Sequence, residues 1–309
     1  MLSQQEKNNR LKKIAASSSI TLAVVLCLLK SLGAYVSGSL AVLSSMIDSL
    51  SDIIASLITF WAVKVSGRPA SCDYRYGYGK VEALSAVVQA IFIAMSGAYV
   101  LYDAILRLAE HQVLLQTGFG LWVMVISMIL TIGLVVFQRY VAKVTGSKAI
   151  LADSMHYSVD ILTNGAIIVS LGIIKIWQIN WIDPVMAMVV AVYLLYSAYD
   201  LAKESIPLLL DRELSENIRQ NVLKIIRSHR LKPEVHDLRT HDLGGVYMFE
   251  FHLELDGKLD LATAHNYTAE IEEMVCKAYP GAQVIIHQEP KGIDDERLDN
   301  RLAGGKCKN

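Results

Sequence analysis

Six long apolar runs, separated by short polar stretches, occupy the first two-thirds of this 309-residue sequence. A helix that crosses a bilayer needs roughly 20 mostly apolar residues, because lipid offers no hydrogen-bond partner to an unpaired backbone amide. Each run is about that long, which predicts six transmembrane helices. They are expected at residues 14–36, 40–63, 81–108, 119–141, 149–174 and 181–205.

The last third of the chain is more polar and has the patterning of a small soluble domain. Helices are predicted at 215–229 and 261–278, and strands at 235–243, 246–255 and 283–287. The predicted fold class is an all-α membrane domain of six helices followed by a small α+β domain in the order α-β-β-α-β. We expect an amino-terminal segment at 1–13, the membrane domain at 14–207, the soluble domain at 208–290 and a disordered tail at 291–309.

Lys and Arg residues mark one side of the predicted membrane domain. They concentrate at residues 7–13, 64–80 and 139–148, whereas the alternate connections contain few. Because short cytoplasmic loops carry an excess of Lys and Arg, both termini and the soluble domain are predicted to lie in the cytoplasm.

The overall charge and the cysteines exclude several classes of protein. A formal net charge of -1 gives no basic surface for nucleic acid, so no nucleic-acid partner is expected. The four cysteines are far apart and form no CxxC pair, which argues against a disulfide framework or a thiolate zinc site.

Two pairs of metal-binding residue types lie inside the predicted spans. Asp48 and Asp52 in the second span, and His156 and Asp160 in the fifth, are each four residues apart. Four residues advance a helix by about 6 Å and return nearly to the same face, so each pair can aim two ligand atoms at one point. Four ligands from two helices can therefore converge inside the membrane.

Such a cluster needs a partner, since a charge at the bilayer centre costs at least about 2.5 kcal/mol on insertion scales. Apart from Lys30, no Lys or Arg lies at matching depth in the other spans. One imidazole with three carboxylates suits Zn²⁺ and tolerates Fe²⁺, Cd²⁺ or Co²⁺. The alternative is that these polar residues only pair helices. Asp153, near the cytoplasmic end of the fifth span, is interpreted as a helix cap or rim charge in preference to a direct metal ligand, and is left outside the site.

The sequence resembles the cation diffusion facilitator family, and within it the bacterial zinc and ferrous-iron efflux branch. Besides the intramembrane pairs, the resemblance rests on Gly-Tyr-Gly-Lys-Val-Glu at 77–82, Leu-Asp at 210–211 and His-Asp-Leu-Arg-Thr at 236–240. It implies a homodimer in the lipid bilayer of the inner membrane that exchanges Zn²⁺ or Fe²⁺, its substrate, for protons. It also implies that the small α+β domain is metallochaperone-like. The transport site that it implies is the same set: Asp48, Asp52, His156 and Asp160.

The resemblance also implies metal sites in the soluble domain, with Zn²⁺ as a structural or regulatory ion. One set would comprise His236, His252 and Glu289, and the other His265, His287 and Glu289. Glu289 stands where this branch commonly has Asp, and the extra methylene changes the reach of the carboxylate.

Two further regions are compared with the same branch. Lys80 and Asp211 resemble a charged pair that locks the membrane and soluble portions of the two protomers. An additional metal site in the loop after the second span is expected to be lost, because a phenol with a pKa near 10 is a poor zinc ligand in the cytosol. The residues at its ligand positions are Ser71, Tyr74 and Tyr78.

The function implied is efflux by alternating access, carried out by a secondary transporter and not by an enzyme. One alternative is a membrane metal-sensing scaffold without transport. Another is an intramembrane metallohydrolase, which is disfavoured because four ligands would fill the position that a catalytic zinc leaves open. The sequence leaves the choice among zinc, ferrous iron, cadmium, cobalt and manganese open. His111 and His229 are expected to be ordinary solvent-facing residues.

Overall fold

A computed structural model of the chain describes residues 4–37, 40–110, 118–177, 181–292 and 297–298; within them, side chains at 33–51 and 109–110, among others, lie outside the description. The chain divides into two compact units, Met1–Ile206 and Pro207–Asn309. The first is helical, and the second contains a small sheet.

Long helices form the first unit. They are α1 (Gln4–Ser37), α2 (Leu40–Ser66), α3 (Val81–Glu110), α4 (Gly118–Thr145), α5 (Lys148–Trp177) and α6 (Ile182–Leu209). Within the described residues, four stretches are long and apolar enough to cross a membrane: Glu6–Leu29, Val81–Leu108, Val125–Thr145 and Ile182–Leu209. The remaining two helices, α2 and α5, carry the two pairs of predicted metal ligands. The helical membrane domain is thus confirmed, and the count of six spans stays a prediction.

Small side chains allow the helices of this unit to approach closely. Ala16 of α1, Ala62 of α2 and Ala149 of α5 are fully buried in one cluster. At the contact of α3 with α6, a Cβ added to Gly97 would lie only 3.1 Å from Leu194 Cβ. Close helix contacts through Gly and Ala are typical of membrane bundles, where packing replaces the hydrophobic driving force.

Glu82 joins several helix ends at the side of the bundle where α2 ends and α3 begins. Its carboxylate accepts hydrogen bonds from Lys12 Nζ at 2.8 Å, from Ser66 Oγ at 2.9 Å and from Ser147 Oγ. Ser147 also accepts from the backbone N–H of Ile150 at 3.3 Å, as an N-cap residue does. One buried acid therefore ties the ends of α1, α2 and α3 to the start of α5.

The second unit has the predicted order α-β-β-α-β, and this part of the fold class is confirmed. Its elements are α7 (Glu216–Arg227), β1 (Glu234–Asp242), β2 (Tyr247–Leu255), α8 (Leu261–Ala278) and β3 (Gln283–Pro290). The sheet order is β1-β2-β3, with β1 antiparallel and β3 parallel to β2. Parallel neighbours need a long crossover connection, which α8 provides.

One face of this sheet is covered by both helices. Phe249, Phe251 and Leu253 of β2 are fully buried against Val222 and Ile226 of α7 and against α8. Successive residues of a strand point to opposite faces, so His252 lies on the other face. On β1, a register irregularity falls between His236 and Arg239, and Asp237 has a positive φ of 53° there.

Candidate metal sites

The side chains of Asp52 on α2 and His156 on α5 meet inside the helical unit. His156 Nε2 lies 3.3 Å from Asp52 Oδ1, and the two side chains are 12% and 8% exposed. Imidazole nitrogens and carboxylate oxygens are both common metal ligands. Two such atoms this close can bind one ion between them if the side chains move slightly apart. The helices are therefore oriented as the i, i+4 argument requires for these two residues.

The other two residues of the predicted transport site are known in less detail. Asp160 lies one turn beyond His156 on α5 and is partly buried. Asp48 lies on α2, but its side chain falls outside the described residues. The convergence of all four ligands stays a prediction.

Asp153 is not a helix cap or rim charge, and that interpretation was wrong. The side chain is completely buried. It accepts hydrogen bonds from Ser19 Oγ at 2.6 Å, Gln138 Nε2 at 2.5 Å and Thr59 Oγ1 at 3.3 Å. The donors come from three other helices, so Asp153 is the centre of a buried polar network next to the candidate transport site.

Three histidines form a row across the sheet of the second unit. His236 of β1 pairs in register with His252 of β2, which pairs in register with His287 of β3. The ring centroids are 5.1 Å apart for the first pair and 4.8 Å for the second. Strand register alone therefore places the three imidazoles side by side on the face opposite the helices.

Glu289 reaches this row from β3, two residues after His287. Its Oε1 lies 2.6 Å from His252 Nδ1 and 3.5 Å from His287 Nε2, and its Oε2 lies 3.1 Å from His236 Nε2. Ligand atoms of His236, His252 and Glu289 all lie within 4.8 Å of one another. Two imidazoles and a carboxylate at this spacing are a donor set that fits Zn²⁺.

Glu254 lies behind His236 in the same cluster. Its Oε1 is 3.4 Å from His236 Nδ1, a buried nitrogen that forms no hydrogen bond in this arrangement. The same oxygen accepts from the Arg297 guanidinium at 2.5 Å, and the Leu298 N–H donates to Asp237 Oδ2 at 2.8 Å. Most of the segment predicted to be disordered, 293–296 and 299–309, lies outside the described residues.

The second predicted set of cytoplasmic ligands is only partly assembled. His287 lies 3.5 Å from Glu289, with its side chain 64% exposed. His265 is exposed on α8 and is not among the described ligand atoms that converge. Its participation stays a prediction.

Two other predictions concern single regions. Ser71 Oγ lies 3.0 Å from Tyr78 Oη, and the Tyr74 and Tyr78 ring centroids are 4.9 Å apart at a tilt of 39°, so the residues of the altered loop contact one another. The loss of a metal site in this loop stays a prediction. Lys80 belongs to the first unit and Asp211 to the second, and their pairing stays a prediction.

One expectation about histidines was wrong. His229 is not solvent-facing: it is 5% exposed and its Nε2 lies 2.9 Å from Glu270 Oε2. His111 lies outside the described residues.

Comparison with known families agrees with this two-part architecture. Residues 17–210 match the cation efflux transmembrane domain. Residues 214–291 match the cytoplasmic domain of cation efflux proteins, which is a dimer domain. The chain belongs to the cation efflux family. The resemblance to the cation diffusion facilitators is thereby confirmed, together with the predictions of a membrane protein and a homodimer.

Relatives match this family member over nearly its whole length. The cation-efflux pump FieF of Yersinia enterocolitica is 36% identical over 92% of this chain and 94% of that protein. The FieF of Pectobacterium atrosepticum is 37% identical over 95% of this chain and 98% of that protein. A solved structure of CzrB, titled as a zinc transporter candidate, is 39% identical over 26% of this chain and 89% of that chain, with a TM-score of 0.23.

Proposed function

We propose that this protein exports divalent transition-metal ions, zinc or ferrous iron, from the cytoplasm across the inner membrane in exchange for protons. The observation that carries the proposal is the 3.3 Å contact between His156 Nε2 and Asp52 Oδ1, which brings an imidazole and a carboxylate from two helices together. Membership of the cation efflux family and the FieF relatives support metal efflux as the activity.

The proposed transport site holds the ion between α2 and α5. Its proposed ligands are Asp48, Asp52, His156 and Asp160. Oxygen and imidazole ligands bind both Zn²⁺ and Fe²⁺, and the order of affinities alone does not set selectivity in a cell. The same groups bind protons, because a ligating carboxylate must be ionised and a ligating imidazole must be neutral.

Competition between metal and protons couples the two movements. When the site faces the cytoplasm, metal displaces protons; when it faces the more acidic outside, protons displace metal. Alternation between the two accessible states then lets the inward proton gradient drive efflux. A membrane potential contributes about 2.3 kcal/mol per net charge per 100 mV.

The cytoplasmic cluster of His236, His252 and Glu289 is proposed as a resident Zn²⁺ site. Its support is the buried donor set and the orphaned Nδ1 of His236. Such an ion would stabilise the three-stranded sheet by binding residues from all three strands. A structural or regulatory role follows from its position outside the helical unit.

Transport by purified protein in proteoliposomes tests the proposal. With an inward-directed proton gradient, Zn²⁺ or Fe²⁺ should move with measurable counterflow of protons, and Asp52→Asn should abolish both fluxes. Asp200→Asn, which changes an exposed acid on α6, is the matched control and should transport normally. Metal binding without metal flux would instead indicate a metal-sensing scaffold.

A further inference from the structure

We propose that Asp153 is a positioning residue for metal transport: its hydrogen bonds to neighbouring helices hold α5 in the register that places His156 against Asp52. The inference rests on the proposed function of those two residues. It assigns a role to a buried carboxylate that is not itself proposed as a ligand.

The environment of Asp153 supplies donors to both carboxylate oxygens. Ser19 Oγ and Gln138 Nε2 contact Oδ2, and Thr59 Oγ1 contacts Oδ1. No ion pair of the described residues includes Asp153, so the groups that donate hydrogen bonds to it are all neutral. A buried carboxylate without such donors is strongly disfavoured, which makes the position of each donor relative to Asp153 energetically important.

The donors themselves are connected to further helices. Gln89 of α3 donates to Thr59 Oγ1. Ser56 of α2 lies 2.9 Å from Ser19 Oγ and 2.8 Å from Tyr157 Oη. The network of Asp153 therefore spans α1 through α5, and α5 contributes two residues to it.

This network lies one turn away from the candidate transport site. Asp153 precedes His156 by three residues, about 4.5 Å along the axis of α5, and Ser56 follows Asp52 by four residues, about 6 Å along α2. The hydrogen bond from Thr59 to Asp153 joins the same two helices as the contact from Asp52 to His156. Fixing the first contact therefore fixes the relative height and rotation of the helices at the second.

A purely structural function would be served as well by apolar packing, since hydrogen bonds between membrane helices contribute little net free energy. Polar networks are directional, however, and each donor must meet its acceptor at a defined distance and angle. Ligand geometry in a metal site must be held to within about 0.5 Å, which directional contacts can achieve. The hydrogen-bond network of Asp153 is therefore suited to fixing the positions of the metal ligands.

The test measures Zn²⁺ affinity and the KM and maximal rate of Zn²⁺ transport for full-length protein carrying Asp153→Asn. The isosteric amide has one acceptor oxygen in place of two, so it cannot accept from Thr59 on one side and from Ser19 and Gln138 on the other. We expect metal affinity to fall and KM to rise by roughly tenfold, as for other residues that orient metal ligands. Ser127→Ala, a buried serine of α4 outside the network, is the control and should change neither value.

A second variant separates hydrogen bonding from folding. The double variant Gln138→Glu with Asp153→Asn exchanges the acid and the amide between α4 and α5, so one donor and one acceptor again face each other. It should recover most of the lost affinity. The proposal is overturned if Asp153→Asn binds and transports within about twofold of wild type, or if the double variant is folded and dimeric but recovers nothing.

The same assay distinguishes this inference from the proposed function. Asp52→Asn should abolish Zn²⁺ binding at the transport site, whereas Asp153→Asn should only weaken it. If Asp52→Asn transports normally, the proposed transport site is wrong, whatever Asp153 does.

Discussion

His252 Nδ1 lies 2.6 Å from Glu289 Oε1, across the parallel pair of strands β2 and β3. The two residues are 37 positions apart in the sequence and meet because α8 returns the chain to the edge of β2. With His236, they form the most compact group of metal-ligand atoms in the described part of the chain.

Replacing Glu289 should weaken metal binding by the cytoplasmic domain. Glu289→Gln removes the carboxylate that contacts three histidines. We expect Zn²⁺ affinity at this site to fall by at least roughly 10- to 100-fold, since loss of a group that only orients a metal ligand already costs that much. Competition with a chelator, in a background of Asp52→Asn, measures the cytoplasmic site alone. Glu250→Gln is the control, because Glu250 is an acid on the neighbouring strand β2 whose partner, Arg239, is 4.0 Å away. Equal affinities for the two variants would remove Glu289 from the site.

Glu254 is expected to orient His236 without binding metal itself. When His236 binds an ion through Nε2, its Nδ1–H needs an acceptor, and Glu254 Oε1 lies 3.4 Å away. Glu254→Gln should therefore lower Zn²⁺ affinity by about tenfold while all three ligands remain. The same chelator competition measures it. An unchanged affinity would show that the nearby carboxylate has no influence on the imidazole.

Exchanging His156 for Asp should change which metal is transported. The variant replaces the nitrogen ligand with an oxygen ligand and leaves an all-carboxylate set, which favours harder ions such as Mn²⁺ over Zn²⁺. Flux of Zn²⁺, Fe²⁺ and Mn²⁺ by purified protein, each measured under the same pH gradient, gives the ratios. If the ratio of Zn²⁺ to Mn²⁺ flux is the same as in wild type, His156 is not a ligand of the transported ion.

Loss of Glu82 should destabilise the helical unit. The Glu82 side chain is only 8% exposed and accepts from Lys12, Ser66 and Ser147, so Glu82→Ala leaves one partly buried cation and two hydroxyls without their acceptor. Breaking a fully buried pair costs about 3 to 5 kcal/mol, and we expect a loss near the lower end of that range. Thermal unfolding of the detergent-solubilised protein measures the loss. Glu204→Ala, which breaks the more exposed pair with Lys148, should lower the unfolding temperature much less.

The pair of His229 and Glu270 should make stability depend on pH in the acidic range. The hydrogen bond with His229, assisted by the charge of Arg230, holds the pKa of Glu270 below its ordinary value near 4.5. As the pH falls, the unfolded chain takes up the proton first, so this contribution is present above about pH 4.5 and is lost as the pH falls through the folded-state pKa. The unfolding temperatures of wild type and Glu270→Gln should therefore differ at neutral pH and converge in acid.

Glu273→Gln is the control for that experiment, because Glu273 is an exposed acid on the same helix, paired with Lys277 at 2.9 Å. A gap between wild type and Glu270→Gln that does not narrow as the pH falls below 4.5 would contradict the assignment.

Local signals in the sequence predicted the soluble domain closely. Helix α8 has the predicted bounds, Leu261–Ala278, because Asp260 accepts a hydrogen bond from the Thr263 N–H at its start and Pro280-Gly281 follows its end. The hairpin of β1 and β2 follows from the alternating apolar residues of β2 and from the turn signal Gly244-Gly245 that precedes them. The spacing of Asp52 and His156 from their i, i+4 partners likewise identified the helix faces that meet.

Sequence reasoning failed where the deciding partners are distant in the chain. The position of Asp153 near the start of a predicted helix makes a helix cap plausible. Only its hydrogen bonds with Ser19, Thr59 and Gln138 show that it is the centre of a buried polar network. His229 is likewise buried by Glu270, 41 residues away. For Asp153, the available signal was the presence of Ser, Thr and Gln residues inside apolar helices, since such residues need hydrogen-bond partners away from lipid.

The sharing of one carboxylate by three imidazoles has a consequence for ion stoichiometry. Oε1 of Glu289 faces His252 and His287, while Oε2 faces His236. Two ions bound next to each other on this sheet would share the Glu289 carboxylate as a ligand. Binding of the second ion would therefore change the coordination of the first. A zinc titration of the cytoplasmic domain within the intact dimer should accordingly show cooperativity, positive or negative, in place of identical independent steps.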